Sequence, residues 1–361
     1  MKILYVYEKM PSTYQQYLLN LLQIVKSSLP IKTLAYEEDS SADYIIKTYG
    51  FKDYIQRMLF QLKVSKYKAL DAKVFDKFDI IHLQHSFLFN KIIPLLQQPK
   101  TNKIVITLRG GDTYIKPWID KRWSDFYRNY GNLVDAYITV SRDQKEYLLK
   151  WGISESKIHV IPVSFGLESK AKPKYPNPNK LHLVSAFRMT WEKNIEGSIR
   201  FAKKLKDRNI DFHYDIYGSG NDLGQLYYLV DKYDLTDVIS IKGKIENDLL
   251  KKELPKYDFF IQLSLSEALS VSVLEAQSVG LPCVVSNSDG LIEAIIPNKT
   301  GICEDYFNYD FFIDETIKLW KNKEKYYEFS AEAINFVNQN FTLTKEVERL
   351  EKMYNDILKN D

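Results

Sequence analysis

Residues 258–286 read DFFIQLSLSEALSVSVLEAQSVGLPCVVS, and this stretch decides the fold. The apolar runs DFFIQL (258–263) and PCVVS (282–286) predict two strands, and the residues between them predict a loop followed by a helix. Both runs are almost continuously apolar, as expected when helices cover both faces of a parallel sheet. The stretch therefore predicts one strand–helix–strand unit of a doubly wound α/β fold.

The same alternation continues on both sides of this stretch. Between two such halves, ESKAKPKYPNPNK (168–180) has three prolines and four lysines, which predicts a linker. We therefore expect two Rossmann-like domains that face a cleft, at 1–167 and 181–341. The predicted strands are 2–7, 79–84, 103–108, 136–140 and 157–163 in the first half, and 181–187, 211–217, 238–243, 258–263 and 282–286 in the second.

The composition excludes several classes of protein. Of the 361 residues, 45% are apolar and 27% are charged, which is the usage of a globular chain and not of a disordered one. The formal net charge is only +3, so no nucleic-acid partner is expected. No apolar run reaches the ~18 residues of a membrane span, and the start, MKILYVYEKMPS, is typical of a strand and not of a signal peptide. A cytoplasmic protein is expected.

Ligands of doubly wound sheets bind at the carboxyl ends of the strands, so functional residues are expected in the loops that follow them. After the strand at 181–187, Arg188 and Lys193 precede a helix, which favours binding of a phosphate or diphosphate. A solvated charged turn is the alternative. After the strand at 211–217, Gly218 and Gly220 let a ligand approach the backbone, unless the turn needs glycine only for its backbone angles.

Two glutamates follow the strand at 258–263. Glu267 lies where the helix begins, and Glu275 lies about two turns further along, on a related face. The free amides of a helix N-terminus suit an anionic ligand. The Glu275 carboxylate can accept hydrogen bonds from two vicinal hydroxyls, as a ribose presents them. The alternative is a capping acid followed by a solvated helix glutamate.

The opening stretch resembles the signature of family-four retaining glycosyltransferases, which have the two-domain glycosyltransferase B fold. Their pattern of an acid, seven spacers, Glu-Ala, Gly and Pro corresponds here to Glu267, Glu275-Ala276, Gly280 and Pro282. The family also implies that the helix at 342–361 packs back on the first domain. Four further segments resemble the family in the same order, namely SAFRMTWEKN (185–194), IYGSG (216–220), VISIKGKI (238–245) and SDGLIEAIIPNKTGI (288–302).

This resemblance implies roles for individual residues. Glu275 would hold the ribose of a nucleotide sugar, Glu267 would contact the donor sugar, and Arg188 and Lys193 would neutralise the departing diphosphate. The catalytic residues would thus be Glu267, Arg188 and Lys193. The other donor-binding positions would be the amides near Leu269 and Ser270, the turn glycines Gly218 and Gly220, and Lys244 and Ile245 near the donor base. The family usually has glycine where this chain has Ala186 and Ala268.

The first half resembles the family in ITLRGGDTY (106–114), where many members carry a histidine before Gly and Asp. Arg109 replaces that histidine. Arginine keeps its proton and cannot act as a general base, but it can bind a phosphate or a carboxylate. An ion pair with Asp112 is the structural alternative. The predicted acceptor-binding residues are Arg109, Gly111 and Asp112, with Ser12 (and its neighbour Thr13) in the first loop and His85 beyond the strand at 79–84.

No metal or cofactor is expected. His82 and His85 are three residues apart, but on a strand end rather than a helix, and no third ligand is evident. Family members of this type are thought to react on one face of the sugar, with the departing phosphate taking the acceptor proton. That scheme needs neither a dedicated base nor a metal ion.

The span 44–78 is helical in character, basic and rich in aromatic residues. Such a stretch can rest on anionic lipid, and many relatives use lipid-linked acceptors. The alternative is an amphipathic helix packed on the sheet with a solvated basic edge. The basic residues are Lys47, Lys52, Arg57, Lys63, Lys66, Lys68, Lys73 and Lys77.

The sequence as a whole predicts a retaining glycosyltransferase. It would move a sugar from a nucleotide sugar, a UDP- or GDP-sugar first of all, to a saccharide or lipid-linked acceptor. The setting would be bacterial surface polysaccharide or glycoconjugate synthesis, with the protein in the cytoplasm or on the inner face of the membrane. The alternatives are a non-catalytic sugar-binding or scaffolding subunit and a nucleotide-sugar epimerase of the same fold.

Overall fold

The computed structural model describes residues 1–12, 15–37, 41–47, 50–65, 68–97 and 101–359. The chain forms two compact units. Unit 1 is Met1–Pro162 together with Val347–Asp361, and unit 2 is Val163–Glu346. Each unit contains one parallel sheet and the helices that connect its strands, so the predicted pair of doubly wound α/β domains is confirmed.

Unit 1 is built on a seven-stranded sheet with the order β3-β2-β1-β4-β5-β6-β7. Its strands are β1 (Ile3–Tyr7), β2 (Ile31–Ala35), β3 (Tyr44–Ile45), β4 (Ile80–Leu83), β5 (Lys103–Thr107), β6 (Ala136–Thr139) and β7 (Ile158–Val160). The helices between β1 and β7 are α1 (Gln16–Ser28), α2 (Phe51–Gln61), α3 (Leu70–Phe75), α4 (Phe89–Leu96), α5 (Gly111–Tyr114), α6 (Lys116–Ile119), α7 (Lys121–Tyr130) and α8 (Arg142–Leu149).

Unit 2 is built on a six-stranded sheet with the order β10-β9-β8-β11-β12-β13. Its strands are β8 (Leu181–Ala186), β9 (Phe212–Tyr217), β10 (Ile239–Gly243), β11 (Phe259–Gln262), β12 (Cys283–Ser286) and β13 (Gly301–Glu304). Its helices are α9 (Ile195–Asp207), α10 (Leu223–Lys232), α11 (Asn247–Glu253), α12 (Val271–Ser278), α13 (Tyr309–Lys321) and α14 (Lys323–Asn340). The last helix of the chain is α15 (Leu343–Lys359).

Three strands were not predicted. They are β2, β3 and β13, which lie at or next to the edges of the two sheets. Strand β3 has only two residues, β2 includes the exposed Lys32 and β13 ends in Glu304, so their hydrophobic signal is weak. Because β3 and a loop occupy the start of 44–78, the described residues of that span are helical only at α2 and α3. Its Lys66 lies outside the described residues, as does Thr13 of the first loop.

The segment 168–180 runs along unit 2 instead of bridging two domains freely. Ser169 exchanges backbone hydrogen bonds with the Asn338 side chain at 2.8 and 2.9 Å. The carbonyl of Asn177 accepts from Nε1 of Trp320 at 2.7 Å. These polar contacts fix the proline-rich segment to unit 2. The unit boundary lies at 162/163, before the predicted end of the first domain at 167.

Helix α15 closes a buried polar chain within unit 1. The Tyr354 hydroxyl lies 2.8 Å from the hydroxyl of Tyr5 and 2.6 Å from Nδ1 of His82, whose Nε2 lies 2.7 Å from Oγ1 of Thr107. Burial and the charge of Arg109 lower the pKa of His82 to about 3, so its ring is neutral. These hydrogen-bonded side chains fix α15 against β1, β4 and β5.

In the described part of the chain, no helix has the length and apolar character that crossing a membrane requires.

Candidate functional site

In unit 2, the loops after the neighbouring strands β8 and β9 are joined through their backbones. The amide of Met189 donates to the carbonyl of Ser219 at 2.9 Å. A side chain at Gly218, where φ is +137°, would overlap the carbonyl oxygen of Phe187, and one at Gly220 would overlap the backbone of Met189. The two predicted turn glycines therefore let these loops pack against each other, which is a positioning role.

The loops after β8 and β11, which are neighbours in the sheet, meet at an ion pair. Nζ of Lys193 lies against Oε2 of Glu267, and only 13% and 15% of the two side chains is exposed. Asn194 follows in the left-handed conformation, with φ +51°, and its Nδ2 donates to the carbonyl of Leu263 at 2.8 Å. That bond ties the loop after β8 to the end of β11. The structure therefore brings two of the three predicted catalytic residues into contact.

Gln262, the last residue of β11, organises this loop and was not predicted. It is completely buried, and its Nε2 donates to Oε2 of Glu267 at 3.0 Å. Its Oε1 accepts from Oγ of Ser270 at 2.8 Å and from Oγ of Ser272 at 3.2 Å. Ser270 in turn caps α12 by accepting from the amide of Val273 at 3.4 Å. A polar residue closing an apolar strand was the signal in the sequence.

The start of α12 presents unused backbone donors. Leu269 and Ser270 are buried, with 6% and 4% exposed. Within the described part of the chain, neither of their backbone N–H groups has an acceptor. Buried N–H groups are almost always paired, and these two lie at the positive end of a helix. The arrangement suits an anionic group of a ligand.

Three other predicted residues of unit 2 lie in more open positions. Arg188 is 71% exposed, and its Nη2 pairs with Oε1 of Glu192 at 3.1 Å. Among the described residues, Arg188 forms its ion pair with Glu192. The structure therefore does not bring Arg188 into contact with the Lys193–Glu267 pair. Lys244 is exposed and Ile245 half-buried, both directly after β10.

Glu275 lies on α12 as a buried carboxylate, 3% exposed. Its Oε1 accepts from Nδ2 of Asn247 at 2.6 Å and lies 3.5 Å from Nζ of Lys251. Burial raises the pKa of Glu275, while Lys251 and Asn247 act in the opposite direction. Among the described residues, its Oε2 has no hydrogen-bond donor.

Asn247 and Lys251 were missed by sequence reasoning. They lie four residues apart, one turn of α11, and therefore on the same face. Lys251 also donates to the carbonyl of Phe165 at 2.9 Å, which holds α11 in place. Because α11 carries several charged residues, the sequence alone does not distinguish Asn247 and Lys251 from the residues of an ordinary solvent-exposed helix face.

In unit 1, Arg109 follows β5 and is held by the end of β4. Its Nε donates to the carbonyl of Gln84 at 3.2 Å, and its Nη2 to Oε1 of the same residue at 3.3 Å. The guanidinium carbon lies 5.9 Å from the centre of the Tyr17 ring on α1. The side chain is half-buried. The strands β1, β4 and β5 are neighbours, so their loops share one edge of the sheet.

Asp112 folds the loop after β5. Its Oδ1 accepts from the amides of Arg109 and Gly110 at 3.0 and 2.9 Å, and its Oδ2 accepts from Oγ of Ser86 at 2.6 Å. Burial raises the pKa of Asp112 against the effect of these donors. The structural alternative of a side-chain ion pair between Arg109 and Asp112 is not what the structure shows. Gly111 begins α5 with open space around its Cα.

His85 and Ser12 lie in neighbouring loops of the same edge. The His85 ring stacks on Phe87 at 4.9 Å between centroids. Burial and the charge of Arg109 lower the pKa of His85 to about 3, so it is a weak proton acceptor. Ser12 is exposed after β1. No group of three or more His, Cys, Asp or Glu side chains that could hold a metal ion is found among the residues that the structure describes.

Two family models match the chain, one after the other. The model for Glycosyltransferase Family 4 matches residues 33–168, and the model for Glycosyl transferases group 1 matches residues 168–336. The chain belongs to the group 1 glycosyltransferases. The second match covers Lys193, Glu267 and Glu275.

Individual relatives and solved structures agree with this family. The amylovoran biosynthesis glycosyltransferase AmsK of Erwinia amylovora is 27% identical over 210 residues, which cover 55% of this chain and 50% of the relative. The chain thus spans about half the length of the first curated relatives it matches. A glycosyltransferase from Rickettsia africae has a TM-score of 0.75 at 20% identity, covering 100% of this chain and 99% of that one. HepE from Anabaena in complex with UDP-glucose has a TM-score of 0.77 at 11% identity, covering 99% and 100%. These two similarities show a shared fold.

Proposed function

We propose that this group 1 glycosyltransferase is a retaining enzyme that takes its sugar from a nucleotide sugar bound to unit 2. The observation that carries the proposal is the group at the end of β11, where the Lys193–Glu267 pair lies beside the unused N–H groups of Leu269 and Ser270. A buried cation and free helix N-terminal amides are the groups that stabilise a departing diphosphate.

Each candidate site residue of unit 2 has a distinct role in this reaction. Glu275 accepts hydrogen bonds from the ribose hydroxyls through Oε2, while Asn247 and Lys251 hold Oε1. Lys193 and the amides stabilise the negative charge that develops on the diphosphate as the bond from the sugar carbon to its oxygen breaks. Glu267 contacts the sugar. Arg188 is exposed and adds a further cation at the mouth of this group.

The proton balance supports reaction on one face of the sugar. A new bond forms between the acceptor oxygen and the sugar carbon, and the acceptor proton passes to the departing phosphate. Arg109 keeps its proton, and the pKa of about 3 makes His85 a poor base at neutral pH. Arg109 and His85 are therefore assigned to binding rather than to proton removal.

Relatives suggest the donor and the setting. HepE was solved with UDP-glucose, so a UDP-sugar is the first donor to test, before a GDP-sugar. AmsK is a glycosyltransferase of amylovoran biosynthesis, which favours a role in bacterial polysaccharide synthesis with a saccharide or lipid-linked saccharide acceptor. The protein would act in the cytoplasm. A non-catalytic scaffold would not need to hold Lys193 and Glu267 in contact, so the observed pair argues against that alternative.

Helix α2 favours contact with an anionic membrane surface. Its buried residues are Asp53 and Gln56, whereas four of its apolar side chains are exposed, namely Phe51, Tyr54, Met58 and Phe60. Phe51 is 79% exposed and Tyr54 66%, and the pair lies on one helix face because the residues are three apart. Further exposed apolar residues at or beyond the helix are Met58, Phe60, Leu62 and Val64, and exposed lysines nearby are Lys52, Lys63 and Lys68. An apolar face beside lysines suits an anionic bilayer.

The membrane proposal is tested by sedimentation with vesicles. The protein is expected to bind vesicles containing phosphatidylglycerol more tightly than vesicles of pure phosphatidylcholine. The double variant F51S/Y54S should lose this binding. The double variant Y227S/Y228S, on the exposed face of α10, is the control that should keep it. Equal binding of both variants would contradict the proposal.

The donor proposal is tested by thermal unfolding with UDP-, GDP-, ADP- and CMP-sugars. Binding to the folded state raises its stability by RT ln(1 + [L]/Kd), which is about 2.7 kcal/mol at a ligand concentration of 100 Kd. One nucleotide class is expected to raise Tm, and Glu275→Gln should reduce the rise strongly while Glu196→Gln on α9 should not. No rise with any of the four would contradict the proposal.

A further inference from the structure

We propose that the edge of unit 1 at Arg109 binds an oxyanion carried by the acceptor, so that the acceptor is a phosphate- or carboxylate-bearing molecule. This inference rests on the proposed function, because it assumes that unit 1 takes the acceptor. It specifies the chemical class of that acceptor, which a saccharide or lipid-linked saccharide leaves open.

The guanidinium of Arg109 has donors to spare. Two of its N–H groups are used, both by Gln84, through the backbone carbonyl and Oε1. A guanidinium carries five N–H donors, so three have no acceptor among the residues that the structure describes. The side chain is half-buried. A partly desolvated guanidinium with a free edge favours a carboxylate or a phosphate, because it can bind two oxygens of either group through parallel hydrogen bonds.

No described carboxylate competes for this position. The carboxyl group of Asp112 interacts electrostatically with Arg109. Its oxygens, however, already accept hydrogen bonds from the amides of Arg109 and Gly110 and from Ser86. Within the described residues, Arg109 forms no ion pair. An incoming anion would therefore meet the guanidinium without first displacing an internal one.

The surroundings hold the guanidinium in place. Gln84 is 2% exposed, and its Nε2 has no acceptor among the described residues, so its contact with Arg109 sets the orientation of the amide. The ring of Tyr17 lies below the guanidinium at 5.9 Å. His85 is neutral, since burial and Arg109 lower its pKa to about 3. Gln84 is a positioning residue here, and Arg109 is the residue that touches the anion.

The first test uses inorganic phosphate as the probe, with chloride at equal ionic strength as the reference. Tm is followed against phosphate concentration for the wild-type protein and for Arg109→Gln, Arg109→Lys and Lys193→Gln. We expect Arg109→Gln to weaken phosphate binding about tenfold or more, as for the loss of a charge-assisted hydrogen bond. Arg109→Lys should keep part of it, because the charge stays but the fork is lost. Arg122→Gln is the matched control, as Arg122 is an exposed arginine of unit 1 paired with Asp120.

The second test repeats the titration with the nucleoside diphosphate site saturated by UDP. Glycerol, glycerol 3-phosphate and glycerate are compared, which separates a phosphate-bearing acceptor from a carboxylate-bearing one. Only the charged compounds should bind, and Arg109→Gln should abolish that preference while leaving UDP binding unchanged.

Three results would overturn the inference. Phosphate binding that is equal in wild type and Arg109→Gln but lost in Lys193→Gln would assign the anion to unit 2. Loss of UDP binding in Arg109→Gln would assign the guanidinium to the donor. Absence of any phosphate effect on the wild type would remove the site, and if UDP still binds, the proposed function would stand without it.

Discussion

Substituting Glu275 by glutamine separates a functional carboxylate from a structural one. Glutamine has nearly the same volume, and its Oε1 can still accept from Asn247 and Lys251, so the packing of α12 against α11 should survive. The oxygen that faces no internal donor, Oε2, becomes an amide NH₂. If Oε2 receives a ribose hydroxyl, one charge-assisted hydrogen bond is lost. Such a bond contributes about 1.5–3 kcal/mol, which weakens donor binding by about 10- to 150-fold.

The same substitution should not lower stability at neutral pH. Burial raises the pKa of Glu275 in the folded protein above its value in the unfolded chain. The folded state therefore holds this proton more tightly, and the charged carboxylate lowers the free energy of unfolding once the pH exceeds the unfolded pKa. Removing the charge should leave Tm unchanged or raise it at pH 7, and the difference from wild type should shrink as the pH falls toward 4.

The assay measures nucleotide-sugar affinity by calorimetry and Tm by calorimetric scanning on the same two samples. Glu196→Gln is the matched control, because Glu196 is an exposed glutamate paired with Arg200 on α9. Its effect on both quantities should be small. A Glu275→Gln protein that unfolds more easily but binds the donor as tightly as wild type would refute the reasoning, since the carboxylate would then be structural.

Three further predictions concern residues in the loops that follow β8, β9 and β4. Lys193→Met should lower kcat/KM for donor turnover by about 100-fold or more, as for the loss of one oxyanion donor, whereas Lys203→Met, which removes the partner of Asp207 on α9, should leave it near wild type. Gly218→Ala should lower the free energy of unfolding by about 2 kcal/mol or more, because the added Cβ meets a backbone carbonyl at φ +137°, while Gly224→Ala in the open start of α10 should stay within about 1 kcal/mol of wild type. The folded-state pKa of about 3 places His85 below its unfolded value, so stability should fall as the pH drops from about 6.5 toward 3; His85→Gln should flatten that slope in urea titrations, and an unchanged slope would contradict the assignment.

The central strands and the main loops could be predicted from the sequence, because both leave a strong local signal. Runs such as 258–263 are apolar throughout, and the spacing of Glu267 and Glu275 is a motif. The contact between Lys193 and Glu267 was not predicted, because it depends on β8 and β11 being neighbours in the folded sheet. The sequence also did not show which side chains form hydrogen bonds with the predicted site residues. Gln262 looks like the end of a strand until its two hydrogen-bonding groups are seen to join Glu267 and Ser270.

The rest could not be predicted because tertiary contacts override local pattern. Strands β2 and β13 carry charged residues, and pairing with the neighbouring strands β1 and β12 decides their structure. The prolines of 168–180 suggest a free linker, yet backbone contacts with Asn338 and Trp320 fix the segment to unit 2. Helix α2 has an amphipathic pattern whose polar residues, Asp53 and Gln56, face inward. Periodicity shows that two faces exist, but not which of them is buried.

Donor turnover is the most direct test of the central claim. The purified protein would be incubated with UDP-glucose and other UDP- and GDP-sugars, with and without an anionic acceptor, while release of the nucleoside diphosphate is followed and the anomeric configuration of the product is read by NMR. The account predicts that one nucleotide class is consumed and that the product keeps the configuration of the donor. A product of inverted configuration, or tight donor binding without any turnover, would contradict it.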